Sequence, residues 1–157
     1  MNVEIREFRP GEEAVFRALN EAWITAYFEL EKKDLEILGD PQQHILGPGG
    51  SIYFAANTDT KEILGCCALL SIGKGTFEVA KMAVAEPWRG HGIGRQLLRG
   101  VIAAARARGA RRLYLETHHS LEHAIALYRS EGFQYLRPED VRPSPYRRVT
   151  VFMEREL

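Results

Sequence analysis

Apolar and polar residues alternate from Val3 to Phe8, a period of two that predicts a first strand, and Pro10–Gly11 stops it. Over residues 12–30 the period lengthens. Val15, Phe16, Leu19, Trp23, Tyr27 and Phe28 recur at three-to-four spacing, the stripe of an amphipathic helix. A second short helix covers 31–38, ended by Gly39 and Pro41, and His44–Gly50 reads as a loop around Pro48-Gly49-Gly50. Three apolar segments, Ile52–Ala56, Glu62–Ile72 and Phe77–Ala85, predict a meander of strands with turns at 57–60 and 73–75. Ile93, Leu97, Leu98, Val101, Ile102 and Ala105 make one face of a further helix that Gly109 closes. Arg111–Glu116 is a strand, Ser120 is placed to cap a helix over 121–131, and Gly132 ends that helix. Phe133–Leu136 and Arg148–Glu154 supply the last two strands, joined by a loop containing Pro138, Pro143 and Pro145. No repeat or linker interrupts the pattern, so residues 1–157 are expected to form one α+β domain around a mixed sheet.

Composition narrows the class without naming a chemistry. The 157 residues are 45% apolar and 27% charged, enough for a core of ordinary size. Basic and acidic residues balance at 21 each, which argues against nucleic acid or an anionic membrane as partner. No apolar run reaches the ~20 residues of a membrane span, and Met1–Pro10 lacks the apolar core of a signal peptide. Cys66 and Cys67 are adjacent in an apolar strand, a poor arrangement for a disulfide, so the expected home is the cytoplasm.

The candidate chemistry begins at Glu78–Leu98, where an apolar strand runs into a polar turn with Gly90, Gly92 and Gly94 at alternate positions, followed by the amphipathic helix. Glycines this dense let the backbone approach a ligand and aim several N–H groups at it, while the helix N-terminus adds partial positive charge. A phosphate-bearing ligand suits such a turn; a tight turn needing positive φ is the plainer alternative. A dinucleotide-binding fold wants different glycine spacing near a first strand, and a Walker loop wants G-K-[ST], which is missing.

The order strand, R-G-H-G-I-G, helix, strand, A-I-A-L-Y-R-S-E-G-F resembles the GNAT superfamily of acyl-CoA-dependent N-acetyltransferases. Arg89, Gly92 and Gly94 match the family's pyrophosphate loop, and Ala124, Leu127, Tyr128, Gly132 and Phe133 match its later A-x-x-L-Y-x-x-x-G-F segment. The resemblance covers Ile52–Leu136 firmly and the N-terminal helices loosely. It implies an α+β fold with α/β/α layers: a mixed, mostly antiparallel, splayed sheet of about seven strands flanked by about four helices. It also implies acetyl-CoA as co-substrate, a primary-amine acceptor, direct attack in a ternary complex, no metal, and a homodimer as a family-level expectation. A non-catalytic acyl-CoA sensor, or transfer of another acyl group or to a protein amine, remains open.

On this resemblance the loop from Arg89 through Gly90, His91, Gly92, Ile93 and Gly94 to Arg95 holds the pyrophosphate, with Arg89 or Arg95 adding charge-assisted bonds. Main-chain groups of Met82, Ala83 and Val84 pair with the pantetheine arm, and the Val84 N–H faces the thioester carbonyl. Tyr128 stands near the sulfur as general acid, with plain core packing as the alternative. Glu78 occupies a general-base position, with His118 or His119 as rivals; adjacent strand histidines point to opposite faces, so one at most faces the cleft. Many relatives carry Asn where this chain has Leu121, which puts Ser120 or His119 forward as substitutes. Trp23, Tyr27, Phe28, Glu31 and His44 fall in the region that covers the acceptor, though their spacing equally suits a core. Arg106, Arg108, Arg111 and Arg112 either reach the 3′-phosphate or form a solvated surface.

Overall fold

Seven strands join into one mixed sheet in the order β1-β2-β3-β4-β5-β7-β6, in a computed structural model that describes residues 1–157. The strands are β1 (Val3–Glu7), β2 (Ser51–Asn57), β3 (Ile63–Gly73), β4 (Thr76–Val84), β5 (Arg112–Thr117), β6 (Gln134–Tyr135) and β7 (Val151–Glu156). All neighbours are antiparallel except β4 and β5. Four helices flank the sheet: α1 (Glu13–Tyr27), α2 (Lys32–Gly39), α3 (Ile93–Ala107) and α4 (Glu122–Ser130). This is the layered α+β architecture that the resemblance implied.

The strand alternation sorts two cores. Tyr53, Cys67, Leu69, Phe77, Val79, Leu113 and Leu115 pack against the α3 stripe on one face, with Ile125, Leu127 and Tyr128 of α4 beside them. Phe54, Cys66, Ala68 and Ala83 meet Phe16 of α1 and Ile37 and Leu38 of α2 on the other. Such two-sided burial explains why β2 and β3 read as continuous apolar runs.

Two irregularities shape the middle of the sheet. First, β4 and β5 pair only from Thr76–Arg112 to Glu78–Tyr114 and then separate. Second, β4 is bulged against β3. Ala80 faces Ala68, Ala83 faces Cys66, and Lys81 takes a left-handed φ of 53° between them. The bulge puts Ala80 and Lys81 in succession on the α2 side and returns Met82 and Val84 to the α3 side.

Some expectations are corrected. The loop expected over His44–Gly50 begins inside a π-helical turn, Gln42–Leu46, because burying Ile45 among Ile37 and Leu38 coils the chain there. The last strand starts at Val151 rather than Arg148, since Arg148 is drawn away to Asp34. Ser120 does not cap α4. Its hydroxyl pairs with the His118 ring (2.7 Å), and Leu121 takes the cap position without a side-chain bond. Strand β5 ends at Thr117, so His118 and His119 lie beyond it and their rings stack (centroids 4.1 Å apart) instead of facing opposite sides.

Candidate active site

The gap between β4 and β5 opens into a cavity of about 350 Å³ that reaches from the starts of α3 and α4 to α1 and α2. At the α3 end, Gly90 and Gly92 both have φ of 80°, a conformation that L side chains rarely adopt, and Gly92 is the helix N-cap. No side chain caps α3 and no acidic residue stands in its first turn. The backbone N–H groups of that turn, carrying the positive end of the helix dipole, are left for a ligand. Gly94 differs from its neighbours: its backbone is helical, and an added Cβ meets only Leu127, at 3.6 Å.

The arginines beside this turn are partly committed. Arg89 donates through Nε to the Val84 carbonyl (3.0 Å) and lies over the Tyr27 ring, 5.8 Å from its centroid. Arg95 donates to the Ser130 hydroxyl (2.9 Å). Arg108, at the far end of α3, donates to Ser51 (3.2 Å) and Gly49 (2.5 Å), so it does not serve this end of the helix.

Glu78 enters the cavity from β4 with neither a hydrogen bond nor an ion pair. Burial, together with the charge of Glu116, lifts its carboxyl to about 7, against the pull of Lys81. Glu116 lines the same space from the end of β5 and accepts from the Tyr114 and Ser144 hydroxyls, each at 2.7 Å. Tyr128 reaches in from α4. Its hydroxyl has no protein partner, and since no unpartnered polar atom is sealed from solvent, it opens onto the cavity. Burial pushes that hydroxyl above its ordinary range. His118 lines the rim, edge-on to Phe28, and its Nδ1 accepts the Ser120 backbone N–H (3.0 Å).

Behind Glu78 lies a buried charge network. Asp34 is fully buried and takes bonds from Lys81 (2.5 Å), from both Arg148 Nη atoms (2.7 Å each) and from the Glu31 N–H (2.8 Å). These donors outweigh burial and hold its carboxyl at about 2. Lys81 also donates to the Tyr146 hydroxyl (3.1 Å), and Glu31 accepts the Arg147 N–H (2.8 Å).

Of the residues singled out in the sequence, Glu78, Met82, Val84, Arg89, Gly90, Gly92, Ile93, Gly94, His118 and Tyr128 line this one cavity, as do Trp23 and Phe28. Ala83, His91, Arg95 and Ser120 do not. Ala83 is buried in the α1–α2 core, His91 is exposed beside Trp88, and Leu121 lines the wall where Ser120 was expected. His119 is tied to Thr150 (2.9 Å) outside the cavity. Glu116, Lys81, Tyr146 and Arg148 also line it without having been singled out. No three His, Cys, Asp or Glu side chains gather to hold a metal, and no helix is long and apolar enough to cross a membrane.

Known proteins share this fold. The chain is 31% identical over 163 residues to the IAA acetyltransferase of Azospirillum brasilense, covering 99% of each. It is 41% identical over 91 residues to the mycothiol acetyltransferase of Thermobifida fusca, where it spans only 27% of that longer protein. A crystal structure of a GNAT-family acetyltransferase from Staphylococcus aureus Mu50 superposes with a TM-score of 0.86 at 21% identity, covering 99% of both chains. The model of the acetyltransferase (GNAT) family matches residues 13–133. The chain therefore belongs to the GNAT acetyltransferases, which are acyltransferase enzymes.

Proposed function

We propose that the chain moves an acetyl group from acetyl-CoA to a primary amine of a small molecule, by direct attack in a ternary complex, with residues 1–157 as one catalytic unit. One observation carries this reading: an uncapped helix N-terminus and two unpartnered proton-transfer groups, Glu78 and Tyr128, share a single cavity. The pyrophosphate sits on the N–H groups of the α3 turn. The pantetheine arm enters the β4–β5 gap, and the Val84 N–H donates to the thioester oxygen as it gains charge. The amine nitrogen attacks the carbonyl carbon, the C–S bond breaks, and Glu78 takes the proton the nitrogen sheds. Tyr128, kept protonated by its raised pKa, donates to the departing thiolate.

The environment favours Glu78 over His118 as base. The His118 Nδ1 already accepts an N–H, so the neutral ring carries its proton on Nε2 and has no free lone pair to offer. Burial pushes the Cys66 thiol up to about 12 and raises Cys67 as well, which leaves no thiolate for a covalent intermediate.

Relatives named for IAA and for mycothiol do not choose the acceptor. The cavity's charge offers more. Lys81 and Arg148 are both spent on Asp34, whereas Glu78 and Glu116 face open space. An ammonium ion is drawn to that end, and the cations left to meet an acceptor carboxylate are Lys33 and the partly committed Arg89. A thiol-release assay with acetyl-CoA and a panel of amines, amino acids and polyamines tests this function. Release that depends on an amine supports it; tight acetyl-CoA binding with no release across the panel overturns it.

A further inference from the structure

Lys81 is the one charged residue in the apolar run from Val79 to Val84, and its placement is costly twice over. Its side chain is only 5% exposed, and its φ of 53° belongs to a region that disfavours a residue with a Cβ. A lysine at this position in a regular strand would turn toward the α3 core, because Phe77 and Val79 set that phase. The bulge removes the conflict by delivering its ammonium to Asp34 and Tyr146 on the opposite face. Strain and salt bridge therefore depend on each other.

Three chain segments meet at this point: the first turn of α2 through Asp34, the β4 bulge through Lys81, and the approach to β7 through Tyr146 and Arg148. Each also lines the cavity, through Lys33 and Ile37, through Lys81 and Met82, and through Pro145, Tyr146 and Val149. The residues that follow the bulge, Met82 to Val84, are the edge along which the donor arm is proposed to lie. Glu78 shares the face to which Lys81 is turned.

We infer that Lys81 is a positioning residue: tethered by Asp34, it holds the β4 bulge that aims Met82–Val84 into the cleft, and it supplies the cation that faces Glu78. Glu78 then has Lys81 on its own strand, Glu116 and the Tyr114 hydroxyl from β5, and the Tyr146 hydroxyl from the segment before β7, with Asp34 of α2 and Arg148 behind Lys81. Lys81 is the cation that lowers Glu78 against burial and Glu116. The part concerning donor binding rests on the acetyl-transfer reading, whereas the effect on Glu78 does not.

Three variants separate the roles. Lys81→Met removes the ammonium and keeps a long side chain, Lys81→Gly removes it but adopts positive φ freely, and Lys81→Arg keeps a cation. In each, Asp34 retains its bidentate bond to Arg148, so no buried carboxylate is stranded. The Glu78 carboxyl is titrated by carbon-13 NMR in the full chain, with no turnover required, and acetyl-CoA affinity is measured calorimetrically. The Glu78 midpoint is expected to move upward in Lys81→Met and Lys81→Gly and to stay at the wild-type position in Lys81→Arg. The acetyl-CoA dissociation constant is expected to rise roughly tenfold in Lys81→Met and to change less than about twofold in Lys81→Gly, where the bulge needs no tether. A Glu78 midpoint unmoved in the Met and Gly variants, or Lys81→Met binding acetyl-CoA as wild type does, overturns the inference. Wild-type protein that fails to bind acetyl-CoA sinks the functional reading instead, and the NMR titration still reads Lys81.

Discussion

Glu78 and Tyr128 line one cavity from opposite faces of the sheet, and neither the carboxylate nor the hydroxyl has a hydrogen-bond partner in the protein. Polar groups this far from bulk water normally find partners within the fold. Two that do not, on either side of one cavity, are a structural cost, and such groups cluster at functional sites.

Tyr128→Phe tests the donor side. The lost hydroxyl bonds nothing in the protein, so the melting temperature should hold within a degree or two. Turnover is expected to fall roughly a hundredfold or more, with the KM for acetyl-CoA little changed, as loss of a general acid requires. Steady-state kinetics with a competent amine checks it; undiminished turnover removes Tyr128 from the mechanism.

Glu78 makes a prediction of both rate and stability. As base it must be ionised, so kcat/KM for the amine should rise with pH through about 7, and Glu78→Gln should abolish that limb. For stability the sign is opposite. The folded carboxyl holds its proton up to about 7 while the unfolded one releases it near 4.5, so the folded state loses stability as pH rises between these values. Glu78→Gln should therefore be more stable than wild type at pH 8, by on the order of 2 kcal/mol, while nearly inactive. Denaturant unfolding at pH 5 and pH 8 measures it, and an equal difference at both pH values removes the buried-carboxylate account.

What was legible in the chain follows from how local each signal is. The glycine turn and the Ala124–Phe133 segment carry their geometry in short spacing, and strand and helix periods place the elements that hold them. Lys81 was visible as a lone charge in an apolar strand, yet only the bulge explains it, and a bulge leaves no period of its own. Asp34 looked like any polar residue in the first turn of a short helix; its full burial depends on Arg148, more than a hundred positions away. Tyr146 and Arg148 lie in a proline-rich loop where hydrophobic periodicity says nothing. Ser120 misled because its hydroxyl had a nearer partner in His118 than the helix it was placed to cap.

Asp34 should anchor the acid end of the stability curve. Its carboxyl is held at about 2 against 3.8 unfolded, so its contribution is complete above about pH 4 and fades as pH falls toward 2. The difference corresponds to about 2 kcal/mol. Asp34→Ala costs more, about 3–5 kcal/mol at pH 7, because it leaves Lys81 and Arg148 buried without a shared anion. Asp34→Asn should fall between wild type and Ala, and urea melts at pH 7 and pH 3 should show the gap narrowing in acid.

The two glycines at the start of α3 should respond in opposite ways to the same methyl group. Gly92 has a φ of 80° and open space around it, so Gly92→Ala strains the backbone and costs about 1–2 kcal/mol. Gly94 is helical, and a Cβ there makes only an ordinary contact with Leu127, so Gly94→Ala gains about 0.5–1 kcal/mol of helix propensity and raises the melting temperature by a few degrees. Nothing in the protein itself therefore requires glycine at 94. If the pyrophosphate lies against this turn, the requirement comes from the ligand, and the stabilised Gly94→Ala variant should bind acetyl-CoA at least tenfold more weakly. Thermal melts paired with acetyl-CoA titration decide the matter: a variant both more stable and unimpaired in binding would move the phosphate site away from α3.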